Sequence, residues 1–527
     1  MDGGLPSKLL ESLSDAAGIV RRHDFFHIYS HYDADGLAAA GIVAKALARE
    51  GKELEVTIFP TLVDEFMKRI EAADTDCVIV TDLGASYIGR FDAMKSDVIV
   101  LDHHTLGDWA ERVCYANPHL YGIDGMSSGC GATMAFLFAI ALNEANWDLS
   151  PVAMAGIAGD RQHLDGVSGL NAYLLEGAEK RGLIEERPGS LAPAGNLATG
   201  LFVGTDPYIR GVSGSAEGTA ALLADAGIKG EETLDGLTVE EASRLSSLIA
   251  VKLITQGVSR EKLEEAARAR YRLPTWNTDA EALAEIINAC GRCNAAGVGV
   301  AAAMGDKQCL VTAGEYDASS RKAVVDAISA IDADGLRQME HIQWFDSSDS
   351  GFTGVICGAV MNYLGDPAKP TVGINGAEDT AKISSRGTLS QLGRGVDLAD
   401  ALKRACAAAG GEGGGHRIAA GGSVPKANRD VFLGFLDKIV GEQIAARSPL
   451  RPPLAHGSPL SNSFGTVQIR GARKLSPTKP NSARHGSPYG FDRTNRYRWG
   501  GRTRLRMRRP SQGLGIGPAK SRAPRPS

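Results

Sequence analysis

Short β-branched apolar runs that stop abruptly at acidic or imidazole side chains occur four times in this chain, and they limit its fold more than any other feature. The clearest is Val98-Ile-Val-Leu-Asp-His-His104, where four apolar residues deliver an aspartate and two adjacent histidines. Phe25-Phe-His-Ile-Tyr-Ser-His-Tyr-Asp-Ala-Asp-Gly36, Cys77-Val-Ile-Val-Thr-Asp-Leu-Gly84 and Ala155-Gly-Ile-Ala-Gly-Asp160 repeat the arrangement. Strands buried on both faces read as unbroken apolar runs, and their carboxyl ends are where parallel sheets place ligand sites. Four such ends predict a sheet edge that gathers a metal site.

The surrounding periodicity agrees. Phe25–Ser30, Leu54–Phe59, Asp76–Thr81 and Asp97–Leu101 read as strands, while Leu37–Glu50, Val63–Ala73 and Ala132–Asn143 read as helices, so βαβ units with a parallel sheet are expected. Gly36 lets the loop turn sharply before the small-residue helix that follows. Beyond Asp160 the chain turns polar and glycine-rich. Helices resume at the capping box Thr238-Val-Glu-Glu241 and continue with breaks to about Arg270. A second α/β region, roughly Asp279 to Ala445, holds the helix Ala280–Cys290, the apolar runs Val298–Met304 and Thr353–Val360, and the cluster Gly410-Gly-Glu-Gly-Gly-Gly-His416.

Asp33 and Asp35 lie two residues apart beside a strand end, so extended geometry turns both carboxylates, with His31, toward one cavity. Oxygen donors with imidazole suit Mn²⁺, with Mg²⁺ as the second choice. Asp82 and Asp160 can add a bridging ligand and a fourth carboxylate, enough for two ions about 3.5–4 Å apart. Asp102 is expected to orient His103, and His104 to face the substrate. Carboxylates gathered at one edge without cations would repel one another and raise each other's pKa.

Ser30-His-Tyr-Asp-Ala-Asp-Gly36, Thr81-Asp-Leu-Gly84, Asp102-His-His104 and Ala158-Gly-Asp160 resemble motifs I to IV of the DHH phosphoesterase superfamily, in order. The resemblance implies an Mn²⁺-dependent phosphodiesterase or pyrophosphatase with ligands at Asp33, Asp35, Asp82, His103 and Asp160. His31 departs from the bacterial RecJ branch, which has aspartate there. Gly413-Gly-Gly-His416 with Ala419-Ala-Gly-Gly422, and Lys382-Ile-Ser-Ser-Arg-Gly387, resemble the companion DHHA1 domain, which implies substrate binding by Ser384, Arg386, Gly413, Gly414, Gly415 and His416. Ile287-Asn-Ala-Cys-Gly-Arg292 resembles the archaeal RecJ-like branch.

The expected architecture is α/β. A parallel-sheet DHH catalytic domain over 20–190 precedes a connector over 191–278, helical after 238, and a smaller α/β DHHA1 domain over 279–445. The implied activity is two-metal hydrolysis of single-stranded DNA or RNA from one end, with Asp82, Asp102, His103 and His104 as the catalytic set. The alternatives are a phosphodiesterase for short oligonucleotides or cyclic dinucleotides, an inorganic pyrophosphatase, and a replisome component associated with the GINS complex.

Composition narrows the setting. A chain of 527 residues is too long for one core. No apolar run reaches the ~20 residues that cross a bilayer. The start Met1-Asp-Gly-Gly-Leu-Pro6 lacks a basic segment and apolar core, so a cytoplasmic protein is expected. The eight cysteines sit mostly in apolar runs, which fits a reducing compartment, and Cys290-Gly-Arg-Cys293 lacks the partners of a zinc site. The net charge of −5 divides into a body near −22 and a tail, residues 447–527, with 18 basic residues against Asp492 alone. An acidic body binds a polyanion only where side-chain or metal cations gather in the cleft. The Pro-, Ser- and Arg-rich tail over 446–527 cannot build a core and is expected to be disordered, whether as a nucleic-acid-binding extension, a dispensable one or a translated out-of-frame segment.

Overall fold

The structure, a computed structural model, describes residues 4–107, 110–229, 232–347, 351–376 and 379–447. From residue 448 onward the expected tail lies outside the described residues.

β1 (Phe25–His31), β2 (Glu53–Phe59), β3 (Cys77–Thr81), β4 (Asp97–Leu101) and β5 (Cys114–Ala116) form a sheet of order β2-β1-β3-β4-β5. Every pairing in it is parallel, and β3 is buried along its whole length, as its unbroken apolar sequence requires. The winding direction reverses between β1 and β3. At such a switch point the connections leave in opposite directions and open a crevice at the carboxyl ends of the two strands.

One face of the sheet is covered by the helices Ala34–Arg49, Gly131–Leu142 and Ser150–Gly159, which are rich in alanine and glycine and buried nearly all round. Small residues set the spacing here. A Cβ on Gly41 would lie 2.5 Å from the Cβ of Ala303 in the helix Ala296–Ala303. The opposite face carries Tyr29, Phe59, Met67, Val80 and Phe91.

Ala155–Asp160 was expected to end a strand, and the structure corrects this. The run lies in the helix Ser150–Gly159, with Asp160 as its C-cap. The helix is sandwiched between others, so it is apolar on every side, and a short run of that kind carries no period to separate helix from strand.

The apolar runs of the second half are also helical. Ala280–Arg292 and Ala296–Ala303 contribute Leu283, Ile287, Cys290 and Val300 to the first sheet's core, although sequence places a domain boundary at 279. The long helix Lys307–Asp334 joins that core through Ala313 and the connector's core through Val324 and Ile328. The connector holds helices, among them Val239–Gln256 with the expected capping box at Thr238 and Glu241, and its β7 (Arg270–Leu273) lies in a small sheet between β6 (Glu185–Arg187) of the first domain and β8 (Thr278–Asp279).

The last sheet has order β13-β14-β12-β11-β10-β9, formed by β9 (Arg337–Gln338), β10 (Gln343–Asp346), β11 (Thr371–Asn375), β12 (Thr380–Arg386), β13 (Glu412–His416) and β14 (Ala419–Pro425). Only β10 and β11 run parallel. The helices Leu398–Ala408 and Arg429–Arg447 supply its core with Leu402, Phe432 and Leu436. Among the described residues no helix is long and apolar enough to cross a membrane.

Candidate metal centre

The acidic and imidazole residues singled out in sequence meet at the switch point. His31 ends β1, and Asp33 caps the next helix by accepting from Gly36 N–H at 3.0 Å. Gly36 is needed there, because a Cβ would sit 2.5 Å from the His31 carbonyl. Asp35 is fully buried in the first helical turn. Asp82 follows β3 with φ of 53°, a left-handed conformation uncommon for a residue with a side chain and found most often where function demands it.

Among the described residues, three groups of potential ligand atoms, each within 4.8 Å of one another, result: His31 with Asp33 and Asp82, Asp35 with His103 and Asp160, and Asp82 with His103 and His104. Asp82 joins them. Its Oδ1 lies 3.1 Å from His103 Nε2, and its Oδ2 lies 3.4 Å from His31 Nδ1. His31 Nδ1 is 3.0 Å from Asp33, and His103 Nε2 is 3.4 Å from Asp160 and 3.9 Å from Asp35.

Both imidazoles are held with one lone pair facing inward. His103 Nδ1 donates to the Gly125 carbonyl at 2.8 Å, and His31 Nε2 to the Pro60 carbonyl at 3.2 Å. The second-nitrogen hydrogen bond fixes the tautomer that can bind a metal. Asp102 takes a different role from the one expected. Its Oδ1 pairs with His104 Nδ1 at 2.8 Å and its Oδ2 accepts from Ala85 N–H at 2.8 Å, so it orients His104, while His103 depends on Gly125. The His104 side chain remains 47% exposed at the mouth of the site.

The electrostatics call for cations. Burial raises the Asp35 carboxyl well above its usual range, reinforced by the charges of Asp82 and Asp160, and burial lifts Asp160 to about 6. Burial disfavours the protonated ring of His31, yet hydrogen bonds to Asp33 and Asp82 carry it up to about 11. His103 is raised in the same way against burial, chiefly by Asp82 and Asp160. Asp82 is driven down by both rings despite complete burial, and its Oδ2 has no well-formed hydrogen bond. Oxygen and imidazole donors around an unsatisfied buried carboxylate oxygen fit two divalent ions of the Mn²⁺ or Mg²⁺ type.

Several supporting residues escaped the sequence analysis. Gly131 N–H and Ala132 N–H donate to the two oxygens of Asp35 at 2.7 and 2.9 Å. A Cβ on Gly131 would lie 2.6 Å from Asp82 Cβ, and one on Gly156 would lie 2.7 Å from Asp35 Oδ1, so both glycines shape the cradle. Gln162 Nε2 donates to Asp160 at 3.2 Å and to Gly125 at 2.9 Å. The only sequence signal was glycine recurring beside the helices that line the site.

The second domain's candidates divide. A cavity of about 360 Å³ is lined by Ala34, Gly159, Asn288, Arg292, Gly354 and Arg386, among others, so Arg386 shares it with chain neighbours of Asp33, Asp35 and Asp160. Arg292 lies within electrostatic reach of both Asp33 and Arg386, a cleft cation that sequence had quoted only as part of a motif. Ser384, Gly413, Gly414, Gly415 and His416 do not line this cavity. The glycines, expected to bind substrate, form edge strand β13 paired with β14. Packing explains Gly413, whose Cβ would meet Cys406 Sγ at 2.8 Å, whereas Gly414 has open space and His416 is exposed.

Residues 26–158 match the model of the DHH family, N-terminal domain, and residues 341–442 match the DHHA1 domain. An uncharacterized protein of Methanocaldococcus jannaschii is 27% identical over 436 residues, covering 81% of this chain and 95% of that protein. RecJ of Thermus thermophilus, solved with Mn²⁺, superposes with a TM-score of 0.52 at 18% identity. The match covers 84% of this chain and 56% of the RecJ chain. CDC45 of Entamoeba histolytica superposes with a TM-score of 0.57 at 12% identity, over 83% of this chain and all of that one. At these identities the solved structures establish a shared fold.

Proposed function

With a DHH domain followed by a DHHA1 domain, this chain belongs to the DHH/DHHA1 superfamily, and on that premise we propose that it is a RecJ-like exonuclease hydrolysing single-stranded DNA or RNA. One observation carries the proposal: Asp82 belongs to the group His31/Asp33/Asp82 and sets its other oxygen 3.1 Å from His103 Nε2 of the group Asp35/His103/Asp160. Two Mn²⁺ ions held there would lower the pKa of a water molecule and offset charge on a phosphoryl group.

The chain's own residues do the rest. Asp82, with its two oxygens turned toward different imidazoles, holds the halves of the site in register. His104, anchored by Asp102, presents its remaining nitrogen to the phosphate and donates a hydrogen bond to an oxygen gaining charge. Arg386 and Arg292, which line the same cavity, would supply the positive charge that an acidic protein needs to hold a polyanion. A strand threaded between the domains would bring its terminal phosphodiester to the centre, and a duplex would be excluded by width.

The test is Mn²⁺-dependent hydrolysis of 5′- and 3′-labelled single-stranded DNA and RNA. Stepwise shortening from one end is expected. Cleavage only of di- or trinucleotides would assign a short-oligonucleotide phosphodiesterase, and phosphate release from pyrophosphate alone would assign a pyrophosphatase. The CDC45 fold likeness favours a second reading, a replisome component that binds GINS, and a pull-down separates it from catalysis. The complete ligand set favours an active enzyme.

A further inference from the structure

We propose that Gln162 is a positioning residue, which aligns the ligand group Asp35, His103 and Asp160 for its metal ion; the assignment rests on the two-metal reading above. The side chain is buried, and its amide fills all of its hydrogen-bonding positions. Nε2 donates to the Gly125 carbonyl at 2.9 Å and to Asp160 Oδ2 at 3.2 Å, while Oε1 accepts from Gly129 N–H at 3.1 Å and from Asn171 Nδ2 at 2.8 Å. The backbone partners decide which way round the amide sits, because a carbonyl only accepts and an N–H only donates. Asp160 is therefore met by a donor.

The Gly125 carbonyl is the junction. It also accepts from His103 Nδ1 at 2.8 Å, so one amide group spans two ligands from different parts of the chain, Asp160 directly and His103 through a single carbonyl. Glycine is required at this point, since a Cβ on residue 125 would lie 2.2 Å from the His103 carbonyl. Of the three ligands, Asp160 has the most freedom to swing outward: its side chain is 25% exposed, against 3% for His103 and 0% for Asp35. A fixed donor restrains it.

Behind Gln162 the chain of hydrogen bonds runs further into the core. Asn171 Oδ1 accepts from Thr133 Oγ1 at 2.6 Å, and both residues are fully buried. Thr133 stands in the first turn of the helix Gly131–Leu142, whose Gly131 and Ala132 N–H groups hold Asp35. All three ligands of the group are thus tied to one buried polar network. Leaving any of its atoms unpaired would cost free energy, so a network with every member satisfied resists reorientation. None of these bonds runs to His31, Asp33 or Asp82. Its action falls on one of the two ions.

The experiment is calorimetric titration of the metal-stripped full chain with Mn²⁺, read together with the electron paramagnetic resonance spectrum of the bound ions. Wild type is expected to take up two ions that couple magnetically. Gln162→Met, close in size but without donor or acceptor, should weaken one of the two by roughly 10–100-fold, the range usual for groups that orient metal ligands. The spectrum of an isolated ion should then replace the coupled one at concentrations that fill both positions in wild type. Asn171→Ala, which releases Gln162 Oε1 without touching a ligand, should weaken the same ion by a smaller factor, and it decides the matter where Gln162→Met does not fold. Leu174→Ala, a core change in the helix that carries Asn171, should lower the urea midpoint and leave both ions bound as in wild type. Unchanged Mn²⁺ binding in both network variants, equal weakening of both ions, or the same weakening in Leu174→Ala would overturn the positioning role while the two-metal reading stands. Absence of Mn²⁺ binding to wild type would remove both.

Discussion

Asp82 concentrates the chemistry in one residue. It occupies a left-handed backbone position, is almost completely buried, and turns its two oxygens toward two different imidazoles. Asp82→Asn should reduce Mn²⁺-dependent nucleotide release by about 10³-fold or more, because a carboxamide cannot supply charge to both halves of a two-metal site. Far-ultraviolet circular dichroism should be unchanged, and a rate near wild type would remove the site from consideration. Asp102→Asn is expected to act more mildly, lowering kcat roughly 10–100-fold, the range usual for partners that orient a site's histidines, with Mn²⁺ affinity retained. Loss of metal with it would return Asp102 to the role first expected, support of His103. The candidate ligands could be named from sequence because their chemistry resides in side-chain type and position after an apolar run. Their supports were not. Gly131 and Gly156 matter through contacts with Asp35 and Asp82 that only the folded chain makes, and adjacent histidines differ in direction, which spacing does not encode.

At the scale of elements, β1 to β4 were read within one residue at their ends because a fully buried parallel strand announces itself by composition. Helices sandwiched between other helices were harder. Ser150–Gly159 and Ala296–Ala303 are apolar all round, so the period that betrays an amphipathic helix is missing. Their close packing has a measurable cost when disturbed. Gly41→Val, placed against Ala303, should destabilise the first domain by about 1–3 kcal/mol in urea denaturation, the usual penalty of overpacking. The connector carries an electrostatic latch, in which the Tyr363 hydroxyl donates to Asp206, and Lys262 Nζ lies 3.3 Å and Arg161 Nη1 3.8 Å from the same carboxylate. Burial opposes ionisation of Asp206, but Lys262 and Arg268 overcome it and hold the carboxyl at about 2. A folded-state value below the unfolded one, about 3.9, means that the contribution, about 2 kcal/mol, is complete above pH ~4 and is lost as the pH falls toward 2. Asp206→Asn should therefore flatten the acid limb of the stability curve between those pH values, and an unchanged limb would show that the latch stores no such energy.

Across the whole molecule, the acidic body and the proposed polyanionic substrate are reconciled by geometry. The carboxylates gather at a single switch point where metal cations could neutralise them, and Arg386 lines a cavity with their chain neighbours Ala34 and Gly159. The order of the two domains was legible from their motifs. The boundary between them was not, because Ala280–Arg292 and its successors face the first core while preceding the second sheet in sequence. The proposed function depends on two ions bracketing one aspartate. Anomalous diffraction at the manganese edge from Mn²⁺-soaked crystals is the most direct measurement. Two peaks about 3.5–4 Å apart, one beside His31 and Asp33, the other beside His103 and Asp160, with Asp82 between them, are the expected result. No peak within reach of Asp82 in a fully soaked crystal would contradict it.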